Sequence, residues 1–170
     1  MLFEKHKQVL DAALAACSAR HYWSPFIESP SRQLHPKDAH ANGKAAFEAL
    51  LQKPFSLDQP AEIGRTGHEV SPYTQRPLGI DYPKIDVDTA MQASTDARLS
   101  WQQVSPEERV GLCFEMAFAL EKQCFTNAYA TMHTAGQAFL MAYSGSGPNA
   151  LDRGVEALSY AHKAMADVPN

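Results

Sequence analysis

Three cysteines are the first residues of the chain whose type could carry chemistry, because a thiolate is both a nucleophile and a metal ligand. They are Cys17, Cys113 and Cys124. Cys113 and Cys124 stand on one predicted helix at a spacing that corresponds to about 16 Å of rise, which is too far for a disulfide. Cys124 falls in mid-helix on an apolar stripe, whereas a reactive thiolate needs an accessible, electropositive pocket. The sequence therefore predicts reduced, structural thiols and no catalytic cysteine.

The histidines raise the question of a metal site. None of them is paired at i, i+4, and none stands beside a pair of cysteines, which are the spacings typical of zinc ligands. The nearest two, His35 and His40, fit no ligand pattern. We therefore predict no metal site from the seven histidines, which are His6, His21, His35, His40, His68, His133 and His162.

The stretch GSGPNA, residues 145–150, matches the loosest form of the dinucleotide-binding fingerprint. That fingerprint works only where a strand precedes it and a helix follows it, so that backbone N–H groups cradle the pyrophosphate. The preceding residues TAGQAFLMAY lack β-branched side chains and are typical of a helix. Pro148 also removes one of the N–H groups. We interpret the stretch as a turn between two helices. No Ser-His-Asp arrangement is recognisable, so the residues by themselves indicate no active site.

Helices must position these residues over most of the chain. Apolar side chains at helical spacing predict helices over residues 2–19, 37–53, 86–104 and 105–132, with further helical segments after Gly136. Asp86 or Asp88 is the expected N-cap of the third helix. Ser105, Pro106 and Glu108 form a capping box with proline at the first helical position. Ser146 or Asn149 is the expected cap of the final helix.

The middle of the chain has a different texture. Prolines and glycines recur between residues 54 and 83, and nothing there repeats at a helical period. Residues 70–73 and 78–82 resemble two short extended pieces around a turn, with Pro77 suited to an edge or a turn. The predicted fold class is mostly α, with a small irregular β-hairpin insert.

Composition sets further limits. A chain of 170 residues with 45% apolar and 20% charged residues is typical of one globular domain with its own core. A net charge of −4 argues against non-specific nucleic-acid binding. The first twenty residues lack the apolar core of a signal peptide, and no apolar run is long enough to span a membrane. We expect a cytoplasmic protein with neither a nucleic-acid nor a membrane partner.

Five segments in order resemble the beginning of an aldehyde dehydrogenase. They cover the predicted hairpin, the helix that starts at an Asp-Val-Asp, the tryptophan with the capping box and long helix, a Thr-Ala-Gly turn, and a final helix with a Leu-x-Tyr-Ala pattern. In this chain they read SPYTQRPLG, DVDTAMQAS, SWQQVSPEERVGLCFEMAFALEKQ, TAGQAF and VEALSYAHK. No single segment is specific, but their order and spacing are.

The N-terminal part extends the resemblance. ALAACSARHYWSPFIESPS, GKAAFEALLQKPFSLDQP and GHEVSPY are similar to PaaN-type proteins of phenylacetic acid degradation, which are members of the aldehyde dehydrogenase superfamily. The resemblance implies two regions, a helical extension and loop over residues 1–69, and a hairpin plus helices over residues 70–170 that correspond to the start of the dehydrogenase. Trp101, at the joint between two helices, is then expected to pack in the core.

The resemblance also implies a function for the complete enzyme, which is ring opening or oxidation of a coenzyme A-linked aldehyde with NAD or NADP. In the family, the cofactor-binding sheet, catalytic Cys, general-base Glu and oxyanion-holding Asn lie downstream of the matched region. None of the three cysteines here takes the catalytic role. The expectation is therefore an N-terminal fragment that is inactive alone, with no catalytic or cofactor-binding residues of its own.

The resemblance suggests one site residue and two partners. The helix with the Leu-x-Tyr-Ala pattern helps to wall the substrate tunnel in the family, so Arg153 is a candidate to face an acyl or coenzyme A group, although an exposed charge at the helix start is the more ordinary interpretation. The implied partners are the downstream dehydrogenase portion and further copies in a homo-oligomer. The alternative is a standalone helical interaction module. A fragment should expose apolar helix faces, whereas a module should have a closed, polar surface.

Overall fold

The structure is a computed structural model that describes residues 1–58 and 62–168. Within those residues the chain forms seven α-helices and two short β-strands, and the predicted fold class is confirmed. The elements are α1 (Leu2–Ala19), α2 (Ala39–Glu48), β1 (Glu62–Thr66), β2 (Tyr82–Ile85), α3 (Val87–Trp101), α4 (Pro106–Glu121), α5 (Cys124–Ala135), α6 (Phe139–Ser146) and α7 (Pro148–Ala166).

The core is built from helices packed on helices. α1 packs against α4 and α7, while α5 packs against α2 and α6. This arrangement places the two N-terminal helices, because α1 brings Leu10 onto the main core and α2 brings Phe47 onto a smaller one. Phe114 of α4, with none of its surface exposed, lies in the main core with Val155 of α7. The division of the chain at residue 69 stays a prediction.

Two helix starts follow the predicted capping chemistry. The Asp86 carboxylate accepts a hydrogen bond of 2.9 Å from the backbone N–H of Thr89 and begins α3. The Ser105 hydroxyl accepts one of 3.2 Å from the N–H of Glu108, with Pro106 at the start of α4. Only this half of the predicted capping box forms, because Oε1 of Glu108 has no hydrogen-bond partner among the described residues. Each bond satisfies an N–H that the helix itself leaves without an acceptor.

The start of the last helix was predicted wrongly. Neither Ser146 nor Asn149 caps α7; Gly147 occupies the N-cap position, and no side chain caps the helix there. The hydroxyl of Ser146 instead donates to the carbonyl of Ala142 within α6. This alternative is open to any serine near a helix end, because the hydroxyl can reach the carbonyl one turn earlier.

The single long helix predicted over residues 105–132 is two helices. α4 ends at Glu121 and α5 begins at Cys124, so Cys124 is the first residue of a helix and not a mid-helix residue. The break lets α4 pack on α1 and α7 while α5 packs on α2 and α6. The predicted stop at Gly136 is confirmed, because this glycine ends α5 in the left-handed conformation with a φ of 72°.

The β element is displaced from its predicted position. Residues 70–73 and 78–82 are not paired strands; a single antiparallel bridge joins Val70 to Pro77. The two strands that form are β1, which precedes the predicted hairpin in the sequence, and β2, which begins at its end; they pair antiparallel with a bulge near Glu62. In the segment between β1 and β2 the hydroxyl of Ser71 accepts hydrogen bonds from the N–H groups of Tyr73 and Thr74, which stabilises a turn in place of a strand.

Helix α3 buries none of its residues against the described part of the chain. Its exposed apolar side chains include Val87, Met91 and Leu99, each more than 60% accessible. The expectation that Trp101 packs in the core is wrong, since this side chain is 40% exposed; the guanidinium of Arg109 lies 5.7 Å from the centre of its ring as a cation–π pair. The physical reason is that the described chain offers no surface opposite the apolar stripe of α3.

Candidate functional site

Arg153 lies on α7 at the edge of a cavity of about 280 Å³. The cavity is enclosed by the C-terminal end of α1, the residues that follow it and the first half of α7. Its lining residues are Ala13, Ala16, Cys17, Arg20, His21, Tyr22, Trp23, Asp152, Arg153, Val155, Glu156 and Tyr160. The sequence predicted Arg153 as a candidate, but it gave no indication that the end of α1 would form the opposite wall.

The guanidinium of Arg153 is exposed and already has an acidic partner. Its side chain is 75% accessible, and one of its nitrogens lies 2.6 Å from a carboxylate oxygen of Glu156. An exposed i, i+3 ion pair contributes little to stability, so the guanidinium is free to turn to another anion at small cost. The geometry therefore permits contact with an anionic ligand group, and it equally permits an ordinary surface ion pair.

Asp152 is the buried acid of the same cavity. Only 9% of its surface is exposed, and its carboxylate accepts a 2.7 Å hydrogen bond from the hydroxyl of Ser24. Burial raises the pKa of Asp152, an effect that the Ser24 hydrogen bond and the charge of Arg153 oppose. Since acids and bases line the cavity together, its charge does not select strongly for anions or for cations.

The position of Cys124 disfavours nucleophilic chemistry by its thiol. Its side chain is buried, and burial followed by the charge of Glu121 raises the pKa of Cys124 to about 11. Because the thiolate is the reactive form, a thiol with this pKa is almost wholly protonated at neutral pH. Cys17 and Cys113 are half-buried, and all three cysteines are free.

The glycine-rich turn joins α6 to α7, as predicted, and its geometry does not fit a dinucleotide. Helix α6 precedes it in place of a strand. Gly147 is buried, and the position that a Cβ would take there lies 2.7 Å from the carbonyl oxygen of Tyr143 and 2.8 Å from the sulfur of Cys124. The preceding helix and the missing N–H of Pro148 both differ from the strand–turn–helix arrangement that binds a pyrophosphate.

The described residues contain no group of three His, Cys, Asp or Glu side chains placed to hold a metal ion. Five of the histidines instead pack against aromatic rings, namely His6, His35, His40, His133 and His162. His6 stacks on Phe118 and lies 2.7 Å from the Glu115 carboxylate, and the ring nitrogen of His133 lies 2.7 Å from the Ser71 hydroxyl. In this part of the chain, also, no helix is long and apolar enough to cross a membrane.

A second concave surface, which the sequence did not predict, lies between α4 and α7. This surface, called the α4–α7 groove below, has a volume of about 500 Å³ and contains no charged residue in its lining. Met116 and Leu120 on one wall are more than half exposed. The groove residues are Cys113, Met116, Ala117, Leu120, Asn127, Ser146, Ala150, Leu151, Gly154, Ala157 and Leu158.

A signal for this groove was present in the sequence of α4. Between Val110 and Leu120 only Glu115 is charged, so the helix is apolar on nearly all sides. A helix of that kind is usually covered all round. In the structure α1 and α7 cover one side of α4, and the side that carries Met116 remains open.

The whole arrangement has a counterpart among solved structures. The crystal structure of NAD-dependent aldehyde dehydrogenase from Burkholderia multivorans superposes on this chain with a TM-score of 0.93 and 42% sequence identity over 99% of the chain. The match supports the aldehyde dehydrogenase superfamily. The chain spans 30% of the length of that dehydrogenase. No protein-family model matches the chain, and no curated protein matches it.

The comparison confirms the resemblance at the level of the aldehyde dehydrogenase superfamily. At 42% identity and this TM-score, the helical arrangement of the chain is that of a part of the Burkholderia multivorans aldehyde dehydrogenase. In that aldehyde dehydrogenase the same helical arrangement is one part of a much longer polypeptide. The exposed α3 face and the α4–α7 groove of this chain belong to that arrangement.

Proposed function

We propose that the chain is the helical N-terminal part of an aldehyde dehydrogenase and that it catalyses no reaction alone. The observation that carries the proposal is the 42% identity over 99% of this chain to a dehydrogenase of which the chain spans only 30%. In the complete enzyme the reaction is the oxidation of an aldehyde with NAD or NADP, and the remaining part of the enzyme supplies the catalytic thiol and the cofactor site.

The chemistry of the described residues supports this division of labour. The thiol of Cys124 is protonated at neutral pH, and a helix in place of a strand precedes the turn at Gly147. The exposed apolar side chains of α3 match the expectation for a part of a larger enzyme and oppose the alternative of an interaction module with a closed, polar surface.

The resemblance to PaaN-type proteins supports a finer proposal. The substrate is a coenzyme A-linked aldehyde of phenylacetate catabolism, and the enzyme is a homo-oligomer. In that enzyme Arg153 contacts an anionic group of the coenzyme A or acyl portion. Its exposed guanidinium and its weak pairing with Glu156 leave it free to do so.

The first experiment exchanges parts between the two proteins. The segment of the Burkholderia multivorans aldehyde dehydrogenase that matches this chain is replaced by the chain, and aldehyde-dependent NADH formation is followed. The chimera is expected to be active, while the isolated chain is expected to show no turnover with NAD or NADP and a panel of aldehydes. An inactive chimera, or turnover by the isolated chain, contradicts the proposal.

The role of Arg153 is tested in the same chimera with a coenzyme A-linked aldehyde. Arg153→Ala is expected to raise KM for this substrate and to leave kcat unchanged, because it removes a binding contact and no reacting group. Glu156→Ala is the control, since it breaks the same ion pair but keeps the guanidinium. An equal KM for Arg153→Ala and the parent chimera rules the contact out.

A further inference from the structure

The glycines inside the helices show where other backbones approach. At Gly43 of α2 a Cβ would overlap Phe125 of α5, and at Gly111 of α4 it would overlap the backbone of Phe3 in α1. A glycine inside a helix costs roughly 1 kcal/mol relative to alanine. At both positions this cost has a structural reason, because the neighbouring helix occupies the space of the missing side chain.

Gly154 carries the same cost without such a neighbour. It lies in the interior of α7, and a Cβ added there would meet nothing within 4 Å. It also lines the α4–α7 groove, next to Ala150 and Ala157 on the same face of the helix. Gly145 is open too, but it stands in the last turn of α6, where helix ends fray. Gly154 thus fits a position that a further segment of polypeptide approaches closely.

The chemistry of the groove defines the occupant. The lining contains no charged residue, and its exposed thioether and leucine side chains suit an apolar polypeptide surface. The helix α3 presents a second apolar surface, through Val87 and Met91, that nothing in the described chain covers. Isolated helices of this length are marginal in water and α3 buries none of its residues against the described chain, which favours a covering partner for α3 as well.

We propose that the α4–α7 groove and the exposed face of α3 are the surfaces on which the remaining part of an aldehyde dehydrogenase chain packs, with Gly154 at the point of closest approach. This inference rests on the proposed function. The comparison with the Burkholderia multivorans enzyme favours that occupant over a second copy of this chain. The same helical arrangement is present in that enzyme, and most of its polypeptide lies outside the matched part and is available to pack on these helices.

The test fills the groove and leaves the rest of the helix unchanged. Gly154→Leu places a side chain in the groove, while Asn149→Leu is the matched control. Asn149 is exposed on the same helix, lies about 140° around it from Gly154, and lines no part of the groove. Both variants are made in the isolated chain and in the chimera described above. Circular dichroism of the isolated variants is expected to show wild-type helix content.

In the chimera, Gly154→Leu is expected to lower the yield of active enzyme by about tenfold or more, because a filled groove opposes docking as an overpacked core does. Asn149→Leu is expected to keep the parent activity. Equal activity of the two variants overturns the docking surface and leaves the proposed function standing. An inactive parent chimera overturns both.

Sedimentation of the isolated chain tests the other possible occupant of the groove, which is a second copy of the chain. A dimer that Gly154→Leu dissociates and Asn149→Leu does not, together with an active Gly154→Leu chimera, assigns the groove to a second copy and overturns the proposal. A monomer, or a dimer that neither variant changes, together with loss of activity in the Gly154→Leu chimera, supports it.

Discussion

Gly154 and Gly43 provide a direct test of the packing argument, because one substitution should act with opposite signs at the two positions. Gly154→Ala adds a methyl group that meets nothing within 4 Å in the isolated chain. Alanine is favoured over glycine in a helix interior by about 1 kcal/mol. The isolated chain should therefore gain up to about 1 kcal/mol of unfolding free energy, which corresponds to a rise in Tm of about 2–4 °C.

Gly43→Ala should lower the stability of the same chain. The added methyl group would overlap both the Cβ and the backbone carbonyl carbon of Phe125, and a backbone atom in a packed helix moves less readily than the end of a side chain. Overpacking of this kind costs about 1–3 kcal/mol, which equals or exceeds the helix-propensity gain of about 1 kcal/mol. The net change is a loss of up to about 2 kcal/mol.

The assay is urea denaturation of the isolated chain, followed by circular dichroism, with both variants and the wild type measured together. Equal m-values would show that the variants change stability and not the extent of unfolding. A stabilising Gly43→Ala, or a Gly154→Ala that destabilises the isolated chain, would refute the assignment of one glycine to a helix contact and the other to an open surface.

Four further predictions follow from named contacts. Since burial raises the pKa of Asp152, its ionised form destabilises the fold; Asp152→Asn, which still accepts the hydrogen bond from Ser24, should raise Tm at pH 7, and this gain should decrease as the pH falls through the raised pKa of the folded state and vanish below the lower pKa of the unfolded chain. Ser105→Ala should cost about 1 kcal/mol in urea denaturation. Iodoacetamide mapped by mass spectrometry should label half-buried Cys113 well before Cys124 in the native chain, and equal rates would contradict the buried position of Cys124. Hydrogen exchange of the isolated chain should be fast throughout α3 and slow in the middle of α4; slow exchange in α3 would show that it has a partner already.

The predictable parts of the fold are those that local chemistry decides. α1 runs from Leu2 to Ala19 as its apolar spacing predicts, and α4 starts at Pro106 because Ser105 supplies a side-chain acceptor. Gly136 ends α5 in the left-handed conformation, which glycine adopts at little cost because it has no Cβ. Each of these features depends on a few neighbouring residues, so the sequence contains the whole cause.

The features that were missed depend on residues far apart in the chain. Neither glycine nor proline marks the break after Glu121; it follows from the different partners of α4 and α5. β1 contains Gly64 and Arg65 in a sequence of low strand propensity, and it forms because β2 pairs with it. The wall of the Arg153 cavity comes from the end of α1, more than a hundred residues away in the sequence. Such pairings are set by tertiary context, which overrides local propensity.

The candidate docking surface shows a third kind of limit. The apolar stripe of α3 was predicted correctly from its spacing, yet the described chain does not bury it. Met116 and Leu120 on the open side of α4 are also exposed. A hydrophobic pattern predicts that a face will be covered, but it does not specify whether the cover lies in the same segment. Where a pattern and a structure disagree in this way, and no polar network explains the exposure, the disagreement is itself evidence for a partner. In this chain the disagreement concerns the exposed face of α3 and the open side of α4 that borders the α4–α7 groove.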